Sequence, residues 1–292
     1  MPPSAAGRLA RFGAGAGPRT SLLTVPGAAG LASVGLEPVG EVMGVIAQSI
    51  GFAGWQGCGY YGYGGYGFGG ARTVTSSTAS RYGGYRPYVD ALYRGYRTAT
   101  SRMVAEAGAL GADGVVDVRL RVTHLDSGNR EFVALGTAVR ARSRTRPAAV
   151  FVTDLPGQDV AKLMRAGWVP VRLVRGISVA VRHDDWVTQQ QASSWYNSAN
   201  VEVTGYTELV NHVRADSRAR FAQDIKAGGA DGAVVSGTSL HIWEIEPAEN
   251  HRDHVAESMV FGTAVARFHV GAAPTSSLTI LPLSAATDRR TR

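Results

Sequence analysis

Two kinds of apolar spacing alternate along the chain. From Glu37 to Ile46, and again from Val169 to Val181, Val and Ile dominate between bounding Gly or Pro residues, a pattern that predicts strands. Between Tyr85 and Leu110 the pattern changes: Tyr88, Leu92, Ala99, Met103 and Ala107 recur at about every fourth position or multiples of it. Pro87 suits a first helical position and Gly108 and Gly111 close the run, so a long amphipathic helix is predicted. Val210, Val213, Phe221 and Ile225, closed by Gly228 and Gly229, predict a second one. After the first helix, Val116, Val118, Leu120 and Val122 alternate as a half-buried strand should, and Ser127-Gly128-Asn129 offers a hairpin turn into Phe132 and Ala134. The second half repeats this with a longer, polar connection expected from Glu246 to His254. A short helix is predicted from Gln158 to Ala166, with Val160, Leu163 and Met164 on one face. Its counterpart, Val25-Pro26-Gly27-Ala28-Ala29-Gly30, is a poor helix former, so the first half is expected to be eroded at its entrance.

The two halves share more than pattern. Gly35-Leu36-Glu37-Pro38-Val39 with Gly44 recurs as Gly167-Trp168-Val169-Pro170-Val171 with Gly176. Gly111-Ala112-Asp113-Gly114-Val115-Val116 recurs as Gly229-Ala230-Asp231-Gly232-Ala233-Val234, and Gly136-Thr137-Ala138-Val139 as Gly262-Thr263-Ala264-Val265. Three blocks in one order, separated by loops of slightly different length, mark an internal duplication. The expected fold class is α+β: two tandem copies of a small strand-helix-strand-strand domain, each with an antiparallel-type sheet packed on one long helix. Residues 1-20 and 271-292 read as flexible tails, the second basic. Repeat 1 is placed at 21-145, with a Gly/Tyr-rich loop at 51-85, and repeat 2 at 146-270.

On the Glu37-Pro38-Val39-Gly40 segment with Gly44, the Gly-Ala-Asp-Gly turn with its following valines, and the Gly-Thr-Ala-Val strand, each copy resembles the YbjQ-like family, whose members carry the name of heavy-metal-binding domains. The likeness covers roughly residues 30 to 142 and 150 to 268. It implies a small α+β domain that assembles as a ring, typically five-fold, with strands contributing to subunit contacts, and hence a homo-oligomer. With two domains per chain, the simplest closed arrangement on that expectation is a pentamer of chains forming two stacked rings.

Composition narrows the function. A 45% apolar, 18% charged chain of 292 residues can build cores of ordinary size. The net charge of +7 is almost wholly arginine, Lys162 and Lys226 being the lysines. Arginine recognises phosphates and carboxylates, so nucleic-acid binding through an Arg- and Tyr-rich surface is a third, weaker reading behind those below. Arg140, Arg142, Arg144 and Arg146 would share one face if their segment were a strand, either as a solvated edge or as a phosphate-tracking stripe. No apolar run approaches membrane-spanning length, and Cys58 is the single cysteine, so a cytoplasmic, reducing location is expected.

Candidate chemistry falls in three places. His183-Asp184-Asp185 and the His251/His254 pair could contribute ligands to a divalent metal ion, in loops of repeat 2. The loop residues Cys58, Tyr60, Tyr61, Tyr63, Tyr66 and Phe68 set sticky aromatic faces on a glycine-rich backbone, a composition suited to self-association. The turn motif, Gly111, Asp113 and Gly114 with Gly229, Asp231 and Gly232, contains the one pair of acids recognised at matched positions, and an acid before Gly at such a turn caps backbone N–H groups. No nucleophile stands with a base and orienter at recognisable spacing. The expectation is a non-enzymatic oligomeric scaffold or binding module, with metal-ion binding as the alternative.

Overall fold

In the computed structural model the described residues are 6–7, 10, 20–50, 73–75, 82–126, 128–144, 146–193, 200–248 and 251–268. The aromatic loop residues Cys58, Tyr60, Tyr61, Tyr63, Tyr66 and Phe68, and nearly all of both tails, lie outside them. Each half begins with a short helix, α1 (Val25–Ser33) or α3 (Gly157–Arg165), followed by a long strand, β1 (Leu36–Ser49) or β7 (Trp168–His183). A 24-residue helix follows, α2 (Arg86–Ala109) or α5 (Thr204–Ala227), and then a hairpin, β4 (Gly114–His124) with β5 (Asn129–Ala141) or β8 (Gly232–Ala248) with β9 (His251–Arg267). Three further strands, β2 (Thr73–Thr75), β3 (Tyr82–Tyr85) and β6 (Phe151–Val152), and the helix α4 (Trp186–Ala192) complete the set. The α+β class and the two repeated sheet-containing units are as the sequence predicts.

The repeated motifs occupy equivalent places. Gly35 and Gly167 have φ of +77° and +84°, and Gly111 and Gly229 +65° and +64°, left-handed turns that glycine adopts without strain. β1 pairs antiparallel with β5, matching Gly44 to Ala134, and β7 with β9, matching Gly176 to Val260. At these glycines the long helix crosses its sheet backbone against backbone. A β-carbon on Gly44 would run into the Ala99 carbonyl oxygen, and one on Gly176 into that of Ser217.

The strand N–H just before each crossing is taken by an acid on the helix: Met43 N donates to Glu106 Oε2 at 2.7 Å, and Arg175 N to Asp224 Oδ2 at 3.0 Å. Glu106 is 1% exposed, and the backbone donor satisfies a carboxyl oxygen that would otherwise be costly to bury. Glu106 and Asp224 are thus a second matched acid pair, beyond the Asp113 and Asp231 that the sequence reading recognised. They escape motif reading because their neighbours along the helix differ.

The sheets run β1-β5-β4-β6 and β2-β3-β7-β9-β8, so the halves exchange strands. β3, within the segment 51-85 expected as loop, pairs with β7 of the second half (Tyr82 with Arg182, Gly84 with Ala180). β6, which leads into the second half, pairs parallel with β4 of the first. One core joins Val42, Leu92, Met103 and Phe132 to Ile177, Val179, Val181 and Val255. Polar ties cross as well: the Ile177 N–H donates to the Tyr93 hydroxyl at 2.9 Å, and Tyr88 donates to Glu257 Oε2 at 2.6 Å. Burial, then Glu257, pushes the Tyr88 hydroxyl well above the usual tyrosine pKa.

Three local expectations are corrected. The Val25 to Gly30 segment is helical after all: Thr24 Oγ1 accepts from Gly27 N at 3.2 Å, and α1 buries Leu31 completely. Its weak propensity is offset by packing on α3, where Gly27 and Gly157 meet so closely that a β-carbon on Gly157 would stand 2.6 Å from the Gly27 carbonyl oxygen. The four arginines do not form a stripe, because β5 ends at Ala141. Arg140 caps the end of α2 through the Leu110 and Gly111 carbonyls, Arg142 pairs with Glu37 and Arg146 with Asp113. The polar connection from Glu246 to His254 is mostly strand: β8 runs to Ala248 and β9 starts at His251, leaving two residues between them.

Gly176→Ala is expected to destabilise by about 3 kcal/mol, since neither backbone at the crossing can move cheaply. Gly108→Ala, on α2 with open space around it, should instead stabilise by about 0.5–1 kcal/mol. Urea denaturation midpoints of the two variants check both signs.

Candidate functional site: a seam between the halves and a charged nest

The seam is built from the Gly-Thr-Ala-Val motif. Thr137 and Thr263 are fully buried, and each holds the segment that leads into its own half. Leu22 N donates to Thr137 Oγ1 at 3.0 Å, and Asp154 N to Thr263 Oγ1 at 3.2 Å. The second of these segments also clasps the first half. Phe151 N and Thr153 N donate to the Asp113 and Val115 carbonyls at 3.1 and 2.9 Å, and Asp117 N and Val118 N donate back to Leu155 and Thr153, both at 3.1 Å. Leu155 and Val160 close over Val116 and Val139, with Leu31 and Leu36 completing a small core. Val115 and Val116 are consequently 0% exposed.

On β8 the equivalents of Val116 and its neighbour are Val234 and Val235, 37% and 54% exposed. Among the described residues no strand pairs with the outer edge of β8. The segment that would match β6 by the repeat is the stretch just before Thr24, held on one side by Thr137.

In the turn motif both acids accept from backbone N–H groups. Asp113 Oδ2 accepts from Ala141 N at 2.7 Å, and Asp231 Oδ2 from Arg267 N at 2.8 Å, tying each helix-to-strand turn to the end of its hairpin. Gly114 leaves room for the Phe151 ring, while a β-carbon on Gly232 would meet only Val265.

The residues expected to bind metal converge only in part. Asp184 and His254 do meet: Asp184 is 4% exposed and its Oδ2 lies 3.0 Å from His254 Nδ1, with the Tyr206 hydroxyl donating to the same oxygen at 3.4 Å. The Tyr206 and His254 rings stack at 4.3 Å between centroids. Asp185 turns away, capping α4 by accepting from Thr188 N at 2.8 Å. His183 and His251 lie in β7 and β9, where Arg182 pairs with His254 and His183 with Asp253; the side chains of both histidines are outside the description.

The centre of this nest is Arg182, 3% exposed, which sequence reading did not single out. Its guanidinium contacts Glu208 Oε2 and Asp185 Oδ2, each at 3.1 Å, and Thr188 Oγ1 at 3.2 Å. Gly205, at the start of α5, makes the space, since a β-carbon there would collide with the guanidinium. A cation already pairs with Asp185, one of the two carboxylates expected to hold a metal ion. Among the described residues no three His, Cys, Asp or Glu side chains converge as a ligand set. Asp184 and His254 alone do not make a heavy-metal shell, which calls for about four ligands, often thiolates.

Comparison with known proteins places these features. Residues 69–142 match the YbjQ family model, described as "Putative heavy-metal-binding". The encapsulin nanocompartment protein of Mycobacterium tuberculosis is 31% identical over 282 residues, 90% of this chain and 91% of that protein. A UPF0145 protein of Natronomonas pharaonis is 42% identical over 70 residues, 24% of this chain and 67% of that protein. One of Halorubrum lacusprofundi is 38% identical over 72 residues, 24% and 69% respectively. No solved structure matches. No helix among the described residues is long and apolar enough to cross a membrane.

Arg182→Ala is expected to cost about 2 kcal/mol, because it empties the space of a side chain only 3% exposed, while its carboxylate partners, each nearly half exposed, recover water. Arg142→Ala, which breaks a pair exposed on both sides, should cost under about 0.5 kcal/mol. Thermal and urea unfolding separate the two. Added zinc should leave the melting temperature of the purified protein unchanged, and a rise that His254→Ala abolishes would restore the metal reading.

Proposed function

The chain belongs to the family of the mycobacterial encapsulin nanocompartment protein and carries a YbjQ-like unit, and we propose that it is a non-enzymatic, self-assembling scaffold that works as a component of an encapsulin nanocompartment in the cytoplasm. The observation that carries self-assembly is the unequal treatment of two equivalent edges. The β4 edge is closed by β6, whereas the β8 edge presents Val234 and Val235 to solvent with no strand beside it among the described residues. Soluble proteins rarely leave such an edge apolar unless a partner covers it. The partner that fits is the Ser21–Leu23 stretch and α1 of another copy, because their equivalents, Thr153–Leu155 and α3, already cover β4 within one chain.

Such a contact is head-to-tail, so it propagates until it closes. The halves sit side by side through exchanged strands, which favours one ring with an even number of repeats over five chains in two stacked rings. The nanocompartment assignment rests on the mycobacterial relative, alike along nearly its whole length. None of the family or relatives named above carries an enzyme's name, which supports a non-catalytic role.

Native mass spectrometry tests the assembly. The expected result is a closed oligomer that Val235→Lys reduces to monomers with an unchanged circular dichroism spectrum. A monomeric wild type, or a variant that assembles as before, rejects the reading. Co-sedimentation of the chain with encapsulin particles from its native cells is the matching test of location.

A further inference from the structure

Between α2 of the first half and α5 of the second, above the start of β7, lies an open cavity of about 520 Å³. Four arginines line it: Arg97 from α2, Arg172 and Arg175 from β7, and Arg220 from α5. Their charges are not equally met. Asp224, the one acid among the described lining residues, is taken up by Arg172 at 2.9 Å and by the Arg175 backbone N–H at 3.0 Å. Arg220 Nε donates to Asp216 Oδ2 at 2.8 Å. Neither Arg97 nor Arg175 forms an ion pair among the described residues, although their side chains share the cavity.

Arg175 is the more constrained of the two. Its guanidinium lies over the Tyr96 ring, 5.3 Å from the centroid. Burial pulls its pKa below the usual arginine value; Tyr96, Asp224 and Tyr93 oppose that shift, while Arg97 adds to it. A partly desolvated cation that feels another cation and has no counter-ion of its own gains on binding an anion. The remaining lining suits such a ligand: the Tyr93 hydroxyl accepts from Ile177 N and so keeps its own hydrogen to donate, and the exposed Ser101 hydroxyl stands at the rim.

We propose that this cavity binds a small phosphate-bearing molecule, its phosphate oxygens held by Arg97 and Arg175 with Tyr93 as a further donor. Phosphate fits better than a single carboxylate because the donors arrive from α2 and β7, with Arg220 on α5, and so call for an anion with acceptors on several sides. The volume lies within the range of small-ligand sites. The site exists only where the halves meet, since α2 alone supplies Arg97 and β7 alone supplies Arg175. It is independent of the β8 edge, so its occupancy is separable from assembly.

The test is isothermal titration calorimetry of the full chain with sodium pyrophosphate at low salt. Saturable binding is expected, weakened roughly tenfold by Arg97→Gln, whose side chain is exposed, and similarly by Arg175→Lys, which keeps the charge but loses the planar fork. Arg142→Gln, remote from the cavity, should bind like the wild type. Absence of saturable heat would overturn the proposal, and so would equal weakening by all three variants, which would mean general surface charge.

Discussion

Where each long helix crosses its first strand there is no room for any side chain. The approach of α2 to Gly44 and of α5 to Gly176 is a contact of main chain with main chain, and most of the architecture follows from it. Once the backbones are that close, the strand N–H beside the glycine cannot reach water, and an acid on the helix takes it in both halves. The helix is thereby fixed in rotation, which settles the face it turns to the sheet and the side chains left for the other half. Tyr88, Tyr93 and Tyr96 of α2 sit on that second side, and all three reach residues of the second sheet or the charges beside it.

Much of this was legible because it rests on local rules. Period-four and period-two patterns gave the long helices and hairpins, and the repeated Gly-Ala-Asp-Gly turn was recognisable because its glycine and acid do the same work twice. What could not be read depends on contacts across the duplication. The α1 segment looks too rich in Gly and Pro for a helix, yet those glycines are what let α3 approach. The arginines after β5 alternate as in a strand, yet each of Arg140, Arg142 and Arg146 answers a different group placed by tertiary structure. In the nest, His and Asp residues drew attention as metal ligands. Arg182, which holds Asp185 and Glu208 beside them, sits in an apolar strand where sequence alone gives no reason to look.

The two sheets also differ in how their edges are finished. In the first, the segment that leads into the second half closes β4 and seals Val115 and Val116. In the second, strands from the first half extend the β7 side, while β8 keeps its valines at the surface. The Gly-Thr-Ala-Val motif explains why it is retained in both copies: its glycine makes space against the neighbouring strand and its threonine anchors the incoming segment. A motif that looks like a featureless strand is the socket of the seam.

The reciprocal loan of β3 and β6 has a consequence for how such a protein can evolve. A repeat that assembles with identical copies must use one surface for every neighbour, so a change that improves one contact alters all of them. Joining two copies in one polypeptide removes that bond. The inner seam is free to specialise for permanence while the outer edges change independently, with the two kinds of unit always made in equal number. The buried Arg182 nest in one half and the Arg97 side chain on the other are divergences of the kind this freedom permits: differences between neighbours that an assembly of identical subunits could not hold.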